Sequence, residues 1–158
     1  MPKLSPITLR ERDELEPLLV KNPDYIEEGL KILAEQLRTD SGPLDILALD
    51  GEHSICVIEL KDAPEDEQLF QGIRYYDWVK SNIAWLEKSY PDVDADSEPR
   101  LILIAPQFSD NLKKVAKYTT LNANQASSLK EYHSFLIDGK ERAVICSDVE
   151  IGEAQEAP

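Results

Sequence analysis

Little in this chain points to a membrane or an oxidising compartment. Only two cysteines occur, Cys56 and Cys146. Each sits in an apolar stretch, and they form no C-x-x-C pair, so buried reduced thiols are expected. No stretch nears the ~20 apolar residues of a membrane helix. The opening Met1-Pro2-Lys3-Leu4-Ser5-Pro6 lacks the apolar centre of a signal peptide, so a cytoplasmic protein with no membrane partner is expected. Histidine is scarce too. His53 and His133 stand alone, without ligand spacing around them. There is no Gly-rich phosphate loop and no nucleophile elbow. Positive charge is also short, with 17 Lys+Arg against 31 Asp+Glu, a net charge of -14 and a pI near 4.5. That excludes a non-specific nucleic-acid coat protein or an anionic-membrane binder, because Lys and Arg make phosphate contacts. Any nucleic-acid role must rest on a local patch, a metal or a partner.

What is present suffices for a folded core. The chain has 158 residues, of which 42% are hydrophobic, enough for one domain over 1–150. An acidic, flexible tail is expected over 151–158. Leu15, Leu18 and Leu19 predict a helix over 8–20. Residues 30–37 read as a strand, because the turn cluster Asp40-Ser41-Gly42-Pro43 follows directly. Two apolar runs, 44–49 and 55–60, flank the turn Asp50-Gly51-Glu52-His53 and predict a hairpin. Both runs are apolar on both faces, so helices should cover the sheet on each side. A long amphipathic helix is expected over 65–90, with Leu69, Ile73, Tyr76, Ile83 and Leu86 on one face. A strand over 100–105, a Ser109-capped helix with Leu112, Val115 and Ala116 inward, and a hairpin around Asp138-Gly139 complete the order. The pattern implies an α/β (α+β) fold with a mixed sheet.

Charges inside these strands are the anomaly. Asp45 lies in one hairpin strand, and Glu59 and Lys61 close the other. A buried charge is costly unless it is paired or metal-bound. If the hairpin turns on Glu52, then Asp45 and Glu59 are equally distant from it and face each other. Opposed like charges destabilise a sheet, and a divalent cation between them reverses that sign. Carboxylate oxygens suit Mg2+ or Mn2+. An Asp45–Lys61 ion pair at the sheet rim fits the spacing equally well. On the long helix, Gln71 and Tyr75 are four apart and share a face, which Trp78 and Asn82 continue.

Taken in order, Asp45, then Glu59-Leu60-Lys61, then Gln71-Gly72-Ile73-Arg74-Tyr75 resemble the PD-(D/E)xK nuclease superfamily and the QxxxY helix of its RecB-like branch. The likeness is closest to the catalytic domain of NucS/EndoMS-type endonucleases and spans roughly 11–106. It implies a restriction-endonuclease-like sheet and a metal-dependent DNA endonuclease. Asp45 and Glu59 would hold Mg2+ or Mn2+, with the Leu60 carbonyl as a further ligand. Lys61 would orient or help deprotonate the attacking water. Gln71 and Tyr75 would support the site. A Glu from the first helix completes the family's set, with Glu11 the first candidate and Glu14 and Glu28 its rivals. Two departures stand out. Leu44 intervenes between Pro43 and Asp45, and the DNA-binding N-terminal domain of NucS-type enzymes has no counterpart here.

Two functional classes follow. The first is a nuclease whose weak intrinsic affinity for DNA is supplemented by a protein partner or by homodimerisation; cutting both strands would need two active sites. The second is a catalytically silent module of the same fold acting through protein contacts. The acidic segment Asp62-Ala63-Pro64-Glu65-Asp66-Glu67 beside the site favours the second, because it repels DNA.

Overall fold

The computed structural model describes residues 1–122 and 125–150, and of residues 122, 125 and 126 only the backbone. The tail expected over 151–158 lies outside the described residues. Strand β1 (Leu4–Pro6) leads to a π-helical turn (Glu11–Leu15) that runs into α1 (Glu16–Lys21). Strands β2 (Lys31–Thr39), β3 (Gly42–Leu49) and β4 (Ile55–Leu60) follow, then helices α2 (Glu67–Ser81) and α3 (Ile83–Ser89). After β5 (Arg100–Ala105) and α4 (Asp110–Tyr118) come the short β6 (Thr120–Asn122) and β7 (Gln125–Ala126), and then β8 (Ser128–Ile137) and β9 (Glu141–Asp148).

The main sheet has seven strands in the order β1-β8-β5-β4-β3-β2, with β9 on the other side of β8. Pairs β4–β5 and β5–β8 are parallel and the remaining pairs antiparallel. The expected mixed sheet is therefore what forms. Its two faces are covered as the all-apolar strands require. One buries Leu47, Val57, Leu101 and Leu103 under α2, α3 and α4. The other buries Ile46, Ile58, Ile102 and Ile104 against Leu9, Leu15 and Leu19.

Hairpin register agrees with the sequence. Leu49 pairs with Ile55 and Ile46 with Ile58, so the next positions outward are Asp45 and Glu59. Asp50 closes the loop by accepting hydrogen bonds at Oδ1 from Glu52 N and Ser54 N, both 2.9 Å. Ser109 caps α4, its hydroxyl accepting from Leu112 N at 3.0 Å.

Three local expectations need correction. The first helix starts at Glu11, not Thr8, and its opening turn is widened, with Leu15 N donating to Arg10 O at 2.8 Å. The long helix is two helices. Asn82 leaves helical geometry (φ -115°, ψ 18°), and its side chain joins its own backbone N–H in donating to Trp78 O, at 2.8 Å and 3.0 Å. Val115 is 47% exposed instead of inward. On a helix of only two and a half turns, Leu112 and Ala116 already fill the contact with the sheet.

Helix α2 sits close to β5 because Gly72 offers no side chain. A Cβ there would lie 2.9 Å from Leu103 Cδ2 and 3.0 Å from Leu101 Cδ1. A larger side chain must push the helix off the sheet. Gly72→Val is expected to lower stability by about 1–3 kcal/mol, measured as an earlier midpoint in chemical denaturation. An unchanged midpoint would show that the contact is loose.

Candidate active site

Three elements converge at one end of the sheet: β3 with Asp45, β4 with Glu59, and the widened turn before α1. Asp45 lies between two strands. On one side Gln36 of β2 stands opposite it, between the pairs Glu35–Ile46 and Leu37–Leu44. On the other side is Glu59. Asp45 N donates to Glu59 Oε1 at 3.2 Å, and Leu60 N donates to Asp45 Oδ2 at 2.9 Å. Backbone groups that would otherwise extend the β3–β4 ladder thus bind the two carboxylates and fix their direction.

Glu59 is 3% exposed. Burial pushes its carboxyl up to about 9, the Asp45 charge adds to this, and the two side chains are close enough to share a hydrogen bond. Glu11 is also raised, by burial first and then by Asp45, although Lys61 works the other way. Its carboxylate and the neighbouring strand end hold each other. Glu11 N donates to Asp62 Oδ2 at 2.9 Å, and Asp62 N donates to Glu11 Oε1 at 3.2 Å. Lys61 follows β4, its N–H donating to Ile104 O at 2.9 Å and its ammonium 3.4 Å from Glu65 Oε2. Burial alone would lower the Lys61 pKa, but Glu11, Glu65 and Asp45 outweigh it and the net shift is upward. Lys61 is therefore a fixed cation at neutral pH.

The structure brings together Asp45, Glu59, Leu60, Lys61 and Glu11 from the sequence-derived set. Tyr75 joins them from α2. It is buried, and its acidity is weakened by burial and then by the charges of Glu59 and Asp45. A Cβ on Gly42 would lie 3.2 Å from the Tyr75 hydroxyl, so glycine, at φ +111°, leaves room for that ring. Gln71 is half-buried one turn earlier, and no hydrogen bond ties it to these groups among the described residues. The rivals to Glu11 lie elsewhere. Glu14 is bound by Arg10 at 3.0 Å and Arg142 at 3.1 Å, which lower its pKa. Glu28 is exposed in the turn before β2. The rim ion pair between Asp45 and Lys61 gives way to the Lys61–Glu65 contact.

Three residues escaped the sequence reading. Glu16 is 6% exposed, and burial pushes its carboxyl up to about 7. Gln36 adopts φ +48° in mid-strand and donates through Nε2 to Glu16 Oε1 at 2.6 Å and to Asp45 Oδ1 at 3.1 Å. Strain of this kind persists only where the surroundings enforce it. Gln68, fully buried, donates through Nε2 to Glu59 O and Ile104 O, both 3.0 Å, and ties α2 to the ends of β4 and β5. Gln36 could have been found by counting back from the Asp40–Pro43 turn to the position opposite Asp45. Glu16 could not, because its approach depends on the π-helical turn.

The arrangement concentrates carboxyl oxygens, with Lys61 the one ammonium beside them among the described residues. Among the described residues no three His, Cys, Asp or Glu side chains close into a ready ligand cluster. The Asp45–Glu59 pair still matches Mg2+, which binds through one or two carboxylates and keeps water or substrate oxygens at its other positions. Glu59 is raised first by its burial and then by the neighbouring Asp45 charge, with Lys61 offsetting part of the shift.

Comparison with known proteins identifies the family. The profile of the family described as the endonuclease NucS C-terminal domain matches residues 11–140. The chain is 30% identical over 112 residues to endonuclease NucS of Sulfolobus acidocaldarius, covering 68% of this chain and 38% of that protein. It is 27% identical over 134 residues to endonuclease NucS of Aeropyrum pernix, covering 84% and 46%. Among solved structures it is similar to a repair endonuclease from Pyrococcus abyssi, with TM-score 0.50 and 28% identity over 64% of this chain and 40% of that one. The chain thus spans less than half the length of these relatives. Among the described residues no helix is long and apolar enough to cross a membrane. With residues 11–140 matched and the carboxylate-bearing hairpin inside that span, the chain belongs to the family of the endonuclease NucS C-terminal domain.

Proposed function

We propose that this chain is a metal-dependent nuclease of the PD-(D/E)xK type, RecB-like branch, and that it hydrolyses DNA phosphodiester bonds with Mg2+ or Mn2+. The observation that carries the reading is the half-buried Asp45 set against the buried Glu59. Two carboxyl groups, fixed by Leu60 N and Asp45 N, face each other beside one cation, Lys61. The relatives are named endonucleases, which supports the same chemistry.

Bound between these oxygens, a divalent ion would neutralise charge on the scissile phosphate and make hydroxide available near neutral pH. Asp45 and Glu59 would hold it, with the Leu60 carbonyl as a third donor and Glu11 at the edge of the set. Lys61 would orient or help deprotonate the attacking water and face the developing phosphorane charge. Tyr75 closes the side of the pocket against Gly42. Gln36 holds Asp45 in place and separates it from Glu16. Gln68 holds the Glu59 backbone.

The test is hydrolysis of labelled single-stranded, duplex, branched and mismatched DNA by the purified chain in Mn2+, Mg2+ or EDTA. Metal-dependent cleavage of at least one substrate is expected. Inert protein across all of them would favour the silent, protein-binding reading, to which the exposed acidic segment 62–67 is suited.

A further inference from the structure

Of the six arginines, Arg10, Arg100 and Arg142 are spent in ion pairs. Arg12, Arg38 and Arg74 have no carboxylate partner among the described residues. Two of those three share a cleft. Arg12 and Arg38 are exposed and line one cleft of about 470 Å3 together with Gln36, Thr39, Gly42 and Pro43. Arg74 is exposed next to Tyr75, whose hydroxyl lies over Gly42 of the same cleft. In a protein of net charge -14, two guanidinium groups with no ion-pair partner among the described residues share one cleft. The lining holds no carboxylate. Glu16, bonded to Gln36, feels the Arg12 charge. The larger cleft, of about 530 Å3, is different. It has one arginine, Arg100, already gripped by Glu27 and Asp50.

Gln36 connects the arginine cleft to the carboxylates. Its amide lines the cleft, and the same Nε2 donates to Asp45. An anion seated on Arg12 and Arg38 is therefore one side chain away from the proposed metal site. Guanidinium groups suit phosphate because their N–H donors match its oxygens in pairs. Thr39 cannot donate there as it stands, because its hydroxyl bonds Gly42 O at 2.6 Å. We propose that this cleft is a phosphate subsite of a polynucleotide strand, holding a backbone phosphodiester that adjoins the one at Asp45 and Glu59. The subsite rests on the nuclease reading for its register. Its chemistry, two free guanidinium groups in a cleft, does not. It also answers the charge problem, because local cations at one rim attract the backbone that the rest of the surface repels.

The experiment uses the whole chain, with EDTA present, and a fluorescein-labelled duplex read by anisotropy from 50 to 200 mM salt. Arg12→Ala/Arg38→Ala is compared with Lys88→Ala/Lys140→Ala, which removes two exposed charges elsewhere. Each guanidinium that no longer meets a phosphate flattens the plot of log affinity against log salt by about 0.9. The arginine pair should therefore flatten it by about two and weaken binding tenfold or more at 50 mM, with the lysine pair near wild type. In Mn2+ the effect of the arginine pair should fall on KM rather than kcat. Equal binding and slope for the two double variants overturns the subsite, even where wild type cuts DNA. A selective arginine effect in a chain that cuts nothing upholds the subsite and sinks the nuclease. A wild-type chain that binds no DNA at 50 mM salt overturns the subsite as well.

Discussion

Asp45→Asn and Lys61→Ala are each expected to lower DNA cleavage by about a hundredfold or more while the chain stays folded. The two act on different parts of the site. Asparagine at 45 keeps one acceptor oxygen but turns N–H donors toward Leu60 N or Gln36 Nε2, which now find a carboxylate. It removes one of two charges that would hold a divalent ion. Alanine at 61 leaves both carboxylates in place and removes the ammonium that faces the phosphate. Neither substitution should unfold the protein. The Lys61–Glu65 contact is 3.4 Å long with Glu65 half-exposed, and such pairs contribute about 0–1 kcal/mol. The check is kcat/KM on a cut substrate together with circular dichroism of each variant. Wild-type rates in either folded variant would remove that residue from the chemistry. Circular dichroism showing both variants unfolded would mean the residues act through stability instead.

Glu59→Gln should separate function from stability in the opposite sense. It ends cleavage, yet in EDTA at pH 8 it should make the protein more stable. Glu59 sits near 9 when folded and near the ordinary carboxyl value when unfolded. Between about pH 4.5 and 9 the folded state therefore binds more protons than the unfolded state, and stability falls as pH rises through that window. Glu16, pushed up to about 7, adds to the same trend over the lower part of it. Glutamine has the same shape and carries no charge. It keeps the acceptor for Asp45 N and offers N–H donors toward the Asp45 carboxylate. A gain of about 2 kcal/mol or more at pH 8 is expected, at about 1.4 kcal/mol per tenfold change in protonation, with a flatter decline of stability between pH 6 and 9. Denaturant midpoints across pH, with and without Mn2+, measure both effects. The variant should also lose the stabilisation that Mn2+ gives wild type. A variant less stable than wild type at pH 8 would show that the Glu59 charge is already satisfied without metal.

The sheet was legible because its signals are local. Alternation, turn residues and length identify β2 to β5, and the symmetry of the Asp50–His53 turn gives the register that sets Asp45 against Glu59. Nothing local identifies β1, three residues ending in a proline, because its pairing with β8 comes from across the chain. The break at Asn82 also stayed hidden, because apolar residues continue at helical spacing through it. Within the site, the facing positions of Asp45 and Glu59 followed from the hairpin register, whereas the groups around them did not. Gln36 meets Asp45, and Glu16 meets Gln36, only through a left-handed residue in one strand and a widened turn in one helix. Both are departures from regular geometry, and periodicity cannot reveal those. A net charge averages over the surface, whereas a cleft lined by Arg12 and Arg38, without ion-pair partners among the described residues, is a property of placement.

The central claim is that Asp45 and Glu59 grip a divalent ion, and anomalous X-ray scattering from Mn2+-soaked crystals tests it most directly. The account predicts one strong peak within about 2.2 Å of a carboxylate oxygen from each residue, absent from crystals of Asp45→Asn. Saturating Mn2+ with no density between these side chains, or with the metal held elsewhere while cleavage proceeds, would contradict it.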